Sequence, residues 1–387
     1  MAPSRPRVAL LGATGSIGTQ TLDVLREQRE HFDLIAVSGG QRLAELAVIA
    51  KEFSVHSVGV VSERDRDELR ALLGPGVQVV VGAEGLAELA ARADVVVNAV
   101  VGFAGLPVTL SALSAGKRLA LANKESLIAA APLVEKVRRT PGAVILPIDS
   151  EHCAIHQCLA GSLEPGHPDV RLLHLTASGG PFRGMTKEQL GRVSKHDALQ
   201  HPTWTMGPKI TVDSSTLMNK GLEVLEASAL FGIEVERVNV VVHPQSIVHS
   251  MVEYVDGAVL AQLSLPDMRL PIAYCLGEPV RFSHAWGQMD FAHAFSLDFE
   301  APDREAFGAL DLAYEASRLG GAAPAWLSAA NEIAVEAFLN DQIEWSRIVP
   351  LVADVLSQYE PDPLDTLASL FENDATARRL AHAMVPR

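Results

Sequence analysis

The sequence predicts an α/β protein with an N-terminal doubly wound dinucleotide-binding domain, a central α+β catalytic domain and a C-terminal helical bundle. Three observations predict it. Short β-branched or leucine-rich runs alternate with helical stretches through the first third, a glycine-rich turn follows the first run directly, and helix-spaced apolar residues dominate the C-terminal end. With 387 residues, 48% of them hydrophobic, the chain exceeds what one core fills, since single cores stop growing near about 250–300 residues. The expected divisions are a dinucleotide domain over 1–148, a metal- and substrate-binding domain over 149–276, a connection without clear periodicity over 277–302, and helices over 303–387.

In the first domain, strands are expected at residues 8–11, 34–37, 58–61, 77–81, 95–100, 118–122 and 144–148, with helices at 19–27 and 43–52 between them. Parallel strands require crossovers of this kind. Residues 95–116 are almost wholly apolar and approach the roughly 20 residues of a membrane span. Asn98, Pro107 and three glycines interrupt them, so a buried strand, a Gly-Phe-Ala-Gly turn and a covered helix account for the run better. Arg5 and Arg7 precede a short apolar run as in an export signal, but the glycine turn ends it after Leu11, and no export is expected.

That turn reads Gly12-Ala13-Thr14-Gly15-Ser16-Ile17-Gly18. Glycines let backbone amides approach a pyrophosphate at the start of the next helix. Glycine also serves plain turns; the strand before and helix after favour a dinucleotide. The second strand leads into Ser38-Gly39-Gly40-Gln41-Arg42 without the acid that binds an NAD ribose. A guanidinium pairs with a 2′-phosphate, so NADPH is expected, the alternative being that Arg42 is an exposed helix-start residue.

Asp149-Ser150-Glu151 closes the last strand of this domain, and residues two apart on extended backbone point to one side, so their carboxylates can share a cation. Residues 215–231 read as one helix on which Asn219, Glu223 and Glu226, spaced four and three apart, share a face beside Lys220. Apolar neighbours bury most of that helix, and buried acids need a partner. Between these elements, a strand at 172–177 ends in Ser178-Gly179-Gly180, Thr186 and Gln189 form a capping box, and residues 201–208 form a loop. A small anion could bind there. The loop carries Trp204 between prolines and a glycine, which suits a lid; an ordinary loop with a core tryptophan is the alternative. Strands at 238–243, 247–255 and 258–264 follow, the last two joined by Asp256-Gly257. His243 and His249 are expected to be buried and hydrogen-bonded rather than metal ligands, and Asn331 and Glu332 to be structural.

A formal charge of -15 disfavours nucleic acid and membrane surfaces as partners. Cys153, Cys158 and Cys275 are odd in number and lack zinc or disulfide spacing, which points to a reducing compartment, the cytoplasm.

Six segments together resemble the 1-deoxy-D-xylulose 5-phosphate reductoisomerase family. They are the 12–18 turn, Ala122-Asn123-Lys124-Glu125-Ser126, Pro147-Ile148-Asp149-Ser150-Glu151-His152, Ser178-Gly179-Gly180-Pro181-Phe182, Met218-Asn219-Lys220-Gly221-Leu222-Glu223 and His243-Pro244-Gln245-Ser246. They fall in family order over nearly the whole chain. The resemblance implies NADPH- and Mg2+- or Mn2+-dependent conversion of 1-deoxy-D-xylulose 5-phosphate to 2-C-methyl-D-erythritol 4-phosphate in non-mevalonate isoprenoid synthesis, by a homodimer. It implies Asp149, Glu151 and Glu223 as metal ligands. Lys124, Glu151 and Ser150 lie around the reacting atoms, and Ser178, His201, Ser214, Asn219 and Lys220 around the phosphate, with Trp204 on the substrate. Gly12, Thr14, Gly15, Ser16, Ile17, Gly39, Gly40, Arg42, Asn123, Glu125, Met206 and Gly207 are implied as cofactor contacts. Glu226 matches an acid near the site that is not a usual ligand, and the family often has Asn in place of Arg42. A retro-aldol route and an α-ketol shift use the same residues.

Two other readings stay open on the residues alone. A semialdehyde dehydrogenase-like oxidoreductase shares the turn but needs a nucleophilic cysteine, and neither Cys153 nor Cys158 has an evident activating base. A non-catalytic dinucleotide-sensing module has no need of the carboxylates.

Overall fold

The computed structural model describes residues 5–161, 167–293, 295–361 and 364–386. Their contacts divide them into two compact units. The first takes the described residues of Met1–Ser126, Val134–Cys153 and Asp267–Gly287; the second takes those of Leu127–Leu133, Ala154–Pro266 and Gln288–Arg387.

The first unit runs β1 (Arg7–Leu11), α1 (Ser16–Glu27), β2 (Asp33–Ser38), α2 (Leu43–Glu52), β3 (Ser57–Val60), α3 (Glu63–Leu73), β4 (Gln78–Val81), α4 (Gly82–Arg92), β5 (Val95–Asn98), α5 (Leu106–Ser114), β6 (Arg118–Leu121), α6 (Lys124–Val137) and β7 (Val144–Pro147). The strands form one parallel sheet in the order β4-β3-β2-β1-β5-β6-β7. Every residue of β3 and β5 is buried, as in sheets covered by helices on both faces. Strand order reverses between β1 and β5, so the crevice beyond their carboxyl ends is the topological switch point where such sheets bind ligands.

All seven expected strands are present. The fifth stops at Asn98 rather than Val100, because the buried Asn98 side chain turns the chain. Its Nδ2 donates to Gly105 O at 2.9 Å and Thr109 Oγ1 at 3.0 Å, and its Oδ1 accepts from Val100 N at 3.3 Å.

After α7 (Ser150–Cys158), the second unit builds a four-stranded sheet from β8 (Val170–Ala177), β9 (Val238–Val242), β10 (Val248–Tyr254) and β11 (Val259–Leu263), in the order β11-β10-β8-β9. Its helices are α8 (Lys187–Leu190), α9 (Lys195–Ala198), α10 (Pro208–Ser215), α11 (Met218–Phe231) and, after α12 (Arg269–Gly277) of the first unit, α13 (Ala309–Leu319), α14 (Ala323–Leu339), α15 (Ile348–Leu356) and α16 (Leu367–Met384). The β10–β11 hairpin turns at Gly257, whose φ is +88°. Thr186 and Gln189 form the expected capping box.

The units do not follow the expected divisions. Residues 267–287 belong with the N-terminal sheet because α12 places Ile272, Ala273, Cys275 and Leu276 in one core with Val8, Leu10, Val37 and Ile148. The C-terminal helices share a unit with the central sheet rather than standing apart. Gly221 of α11 lets α13 approach so closely that an added Cβ would lie 3.0 Å from Ala313 Cβ. Among the described residues, no helix is long and apolar enough to cross a membrane.

Two glycines of the first turn carry its geometry. An added Cβ would lie 2.3 Å from Ala99 O at Gly12 and 2.2 Å from Gly12 O at Gly18, whereas at Gly40 it would meet nothing within 4 Å. Gly18→Ala is therefore expected to destabilise the protein by about 2–3 kcal/mol through overpacking, while Gly40→Ala leaves the urea midpoint unchanged. Equal midpoints for the two variants would show that the turn accommodates a methyl group.

Candidate active site

In the first unit, Gly15 caps α1 without a side-chain hydrogen bond, and no acid sits in the helix's first turn. The amides of Ser16 and Ile17 thus begin a helix whose partial positive end is not answered by the chain itself. The turn is pinned from the neighbouring strand: Gly12 N donates to Ser38 Oγ at 3.1 Å, and Ala13 N donates to Ser38 O at 2.7 Å. Thr14 is buried, with its Oγ1 against Gly39. Arg42 is exposed and pairs with Glu45 at 3.2 Å, a one-turn contact of small energetic weight.

Asn123 and Glu125 lie at the start of α6 and are buried. The Asn123 side chain is committed within the protein: Nδ2 donates to Val100 O at 2.7 Å and Gly102 O at 2.5 Å, while Oδ1 accepts from Ser126 N at 2.8 Å. It shapes the loop at the switch point.

Asp149 and Glu151 are not on extended backbone, as the sequence reading has them. The strand ends at Pro147 and α7 begins at Ser150. Asp149 caps that helix, its O accepting from Cys153 N at 2.8 Å and its Oδ1 from Glu151 N at 3.3 Å. Aspartate at a helix start satisfies amides that a continuing strand would not present. The consequence for the carboxylates survives, since one oxygen of each lies within 4.8 Å of the other. Lys124 Nζ donates to Asp149 Oδ2 at 2.7 Å, the two side chains being 7% and 11% exposed. Ser150 Oγ donates to Glu151 Oε2 at 2.6 Å.

In the second unit, β8 ends in a turn with Gly179 at φ +86° and Gly180 at φ +69°. An added Cβ on Gly180 would lie 2.5 Å from Ser214 O, so only glycine lets this turn meet α10. The approach brings Ser178 and Ser214 to one imidazole: His201 Nε2 is 3.1 Å from each hydroxyl oxygen. On the other side of the ring, Nδ1 accepts the amides of Thr203 at 3.1 Å and Trp204 at 2.9 Å. Burial pushes the His201 pKa down to about 4. Trp204 is half-buried, its ring 6.3 Å from that of His249, so it is not a core tryptophan.

The helix expected over 215–231 begins only at Met218, α10 ending at Ser215. Between α10 and α11, Leu217 adopts a left-handed conformation at φ +60°, and Thr216 Oγ1 accepts from Met218 N at 3.2 Å. On α11, Asn219 Nδ2 donates to Glu223 Oε1 at 2.6 Å and Lys220 is ion-paired with Glu223. Lys220, Glu223 and Glu226 are buried, as the apolar neighbours imply. Met206 and Gly207 lie in the loop before α10, which Gly207 caps.

Sequence reading missed what holds α10. Buried Asp213 accepts from Asn331 Nδ2 at 2.7 Å and pairs with Lys209 at 2.9 Å, and Trp345 Nε1 donates to Ser215 Oγ at 2.8 Å. The Lys209–Asp213 spacing of one helical turn was the available signal; the partners from distant helices left none. His243 and His249 are buried and hydrogen-bonded as expected, His243 Nδ1 to Asp298 O at 2.8 Å and His249 Nε2 to Ser264 O at 3.2 Å. Asn331 and Glu332 have structural partners, Asp213 and Arg378.

The cysteines form no disulfide and are buried. Burial pushes the Cys158 thiol up to about 11 and raises that of Cys275 as well, opposite to what a nucleophilic thiolate requires. With Cys153 buried and the Cys158 thiol raised, neither suits the semialdehyde dehydrogenase-like reading.

A doubly wound sheet with an open helix start at its switch point, in a chain that buries lysine-paired carboxylates, defines a dinucleotide-dependent oxidoreductase. Family models agree: 1-deoxy-D-xylulose 5-phosphate reductoisomerase over residues 8–131, its C-terminal domain over 145–231, and DXP reductoisomerase C-terminal domain over 263–380. The chain is 46% identical to 1-deoxy-D-xylulose 5-phosphate reductoisomerase of Chloroherpeton thalassium over 97% of each. It is 49% identical to that of Xanthomonas axonopodis pv. citri, over 98% of this chain and 97% of the relative. The Zymomonas mobilis enzyme, solved in complex with NADPH, matches with a TM-score of 0.91 and 42% identity over 98% of this chain and 99% of that one. A DOX-P reductoisomerase solved with NADPH, fosmidomycin and magnesium matches at 0.90 and 41% identity, over 98% of each chain. The chain belongs to the 1-deoxy-D-xylulose 5-phosphate reductoisomerase family.

A pH dependence follows from His201. The unfolded chain takes up its proton near 6.5, the folded protein only near 4. Between these values the unfolded state binds more protons, so stability falls as pH drops from 6.5 through 4 and is unaffected by this group above 6.5. Nitrogen-15 histidine spectra should show His201 with a bare Nδ1 and a protonated Nε2 down to about pH 5, below the ordinary histidine midpoint. A midpoint at the ordinary value would refute the assignment.

Proposed function

We propose that this chain converts 1-deoxy-D-xylulose 5-phosphate to 2-C-methyl-D-erythritol 4-phosphate, with NADPH and Mg2+ or Mn2+. The observation that carries this reading is full-length kinship, with family models matching from residue 8 to residue 380. Relatives solved with NADPH, and with magnesium and fosmidomycin, support the cofactors.

The donor chemistry fits the metal. Asp149, Glu151 and Glu223 offer only carboxylate oxygens, which suit a hard divalent cation, and the ammonium groups on Asp149 and Glu223 show that both carboxylates already attract positive charge. When bound, the metal supplies Lewis acidity at the ketone and a neighbouring hydroxyl, and NADPH supplies hydride. Lys124 holds Asp149 in place and sets a positive charge beside the reacting oxygens, with Glu151 and Ser150 as their neighbours. Ser178, Ser214, Asn219, Lys220 and His201 hold the phosphate, and Trp204 covers the carbon chain so that water stays out while the aldehyde awaits reduction.

The cofactor's pyrophosphate would be held by the amides of the 12–18 turn, at Gly12, Thr14, Gly15, Ser16 and Ile17. Gly39, Gly40 and Arg42 would hold its adenosine end, and Asn123, Glu125, Met206 and Gly207 would complete the contacts. We also assign the chain to the cytoplasm and to a homodimer. Three cysteines that form no disulfide support the first. The half-exposed Val259 and Leu260 on the edge strand β11 support the second.

Glu223→Gln is expected to lower turnover at limiting Mg2+ by about two orders of magnitude while NADPH binding, followed by cofactor fluorescence, stays near wild type. Wild-type activity in this variant would remove Glu223 from the ligand set. For the cofactor, NADPH should be preferred over NADH, and Arg42→Ala should raise the KM for NADPH about tenfold, the equivalent of ~1.4 kcal/mol. Equal catalytic efficiency with both cofactors would overturn the preference; a preference surviving in Arg42→Ala would assign it to a neighbouring residue.

A further inference from the structure

We propose that Trp345 is a positioning residue for the reaction: from the turn between α14 and α15 it sets the rotation of α10, and so the direction in which Ser214 presents its hydroxyl. The inference deepens the reading of the Ser178–Ser214 pocket as the phosphate site and rests on it. Successive side chains project about 100° apart around a helix, so Ser214 leaves α10 between Asp213 and Ser215. Both neighbours are 1% exposed, and both are held from the C-terminal helical region. Asp213 Oδ1 accepts from Asn331 Nδ2 of α14 at 2.7 Å, and Ser215 Oγ accepts from Trp345 Nε1 at 2.8 Å. A helix gripped on both flanks of one residue cannot turn about its axis without breaking a grip, which leaves Ser214 one direction.

The Trp345 bond has a fixed sense. An indole N–H only donates, and the Ser215 hydroxyl gives its own proton to Val212 O at 2.6 Å, so its oxygen meets Trp345 with lone pairs alone. The same indole reaches the other wall of the pocket. Its ring stands edge-on to Phe182 at a centroid distance of 5.3 Å and an angle of 89°, and to Phe307 at 6.4 Å and 85°. Phe182 is buried and follows directly on the Ser178-Gly179-Gly180 turn. Edge-to-face rings hold a preferred separation, so Trp345 is a spacer between the two walls. Its N–H places α10 and its ring places the end of the β8 turn. Between them Ser178 and Ser214 each come to 3.1 Å from His201 Nε2. Trp345 thus acts on the pocket through Ser215 and Phe182, at one remove from any ligand.

Two small substitutions in the full-length protein remove the bond from either end. Trp345→Phe keeps a ring beside Phe182 and deletes the N–H; Ser215→Ala deletes the acceptor and leaves every ring in place. Without ligand, nitrogen-15 histidine spectra should show the His201 Nε2 signal shifted in both variants, as Ser214 turns away, while Nδ1 keeps its wild-type position. In a titration with inorganic phosphate followed on the same signal, each variant should bind about fivefold more weakly, the loss expected for one hydrogen bond. The double variant should bind no more weakly than the worse of the two, because both changes break the same bond. With the sugar phosphate, KM should rise by a similar factor while kcat stays within about twofold, the mark of lost binding; a general loosening of the fold would not give this split. Ser215→Thr, which keeps the hydroxyl, should match wild type. An unmoved Nε2 signal in Ser215→Ala, wild-type phosphate affinity in either single variant, or losses that multiply in the double variant would overturn the assignment. If Trp345→Phe melts early, Ser215→Ala decides alone, since it removes a single oxygen. A wild-type protein whose His201 signals ignore phosphate would refute the phosphate reading of the pocket, and the ligand-free spectra would still decide whether Trp345 aims Ser214.

Discussion

A carboxylate removed from water has to be neutralised, and the rest of this structure is arranged around that requirement. Each unit answers it internally. In the first, the Lys124 ammonium meets Asp149 where a helix and a strand of the dinucleotide fold end. In the second, Lys220 meets Glu223 on one buried helix. These pairs make the protein foldable before any cation arrives, since breaking a buried pair leaves an uncompensated charge that costs about 3–5 kcal/mol. They also explain why Asp149 and Glu223 each have a lysine beside them.

Close backbone approach is the second constraint. Gly12 against Ala99 narrows the switch point, Gly180 against Ser214 brings the β8 turn onto α10, and Gly221 against Ala313 seats the helix that carries Glu223. At none of these positions does glycine act merely as a flexible joint. Each sets a close approach that a methyl group would enlarge.

Much of the fold was legible because strand burial and helix periodicity are local signals. All seven strands of the parallel sheet stand where the β-branched runs placed them, and buried Glu223 follows from its apolar neighbours. The illegible parts depended on partners far along the chain or on a single capping event. Asp149 could be read as strand or as helix cap, and only the amides of Glu151 and Cys153 settle which. The break at Leu217 was hidden because the apolar pattern runs through it. Asp213 is held by Asn331, more than a hundred residues later, a partner no local pattern announces.

The path of α12 bears on how the protein is made. The N-terminal sheet shares its core with Ile272 and Leu276, so a ribosome that has released all seven strands has not yet released what completes their packing. Local strand–helix units can form early, but the last apolar face stays open until the intervening sheet and its helices have been synthesised. Closing that long loop carries an entropy that grows only slowly with its length; the greater hazard is exposed apolar surface while the chain emerges at about 5–20 residues per second. The interleaved order of the chain thus joins the fate of the two units during synthesis: a truncation that looks like a clean N-terminal domain would carry an unfinished core.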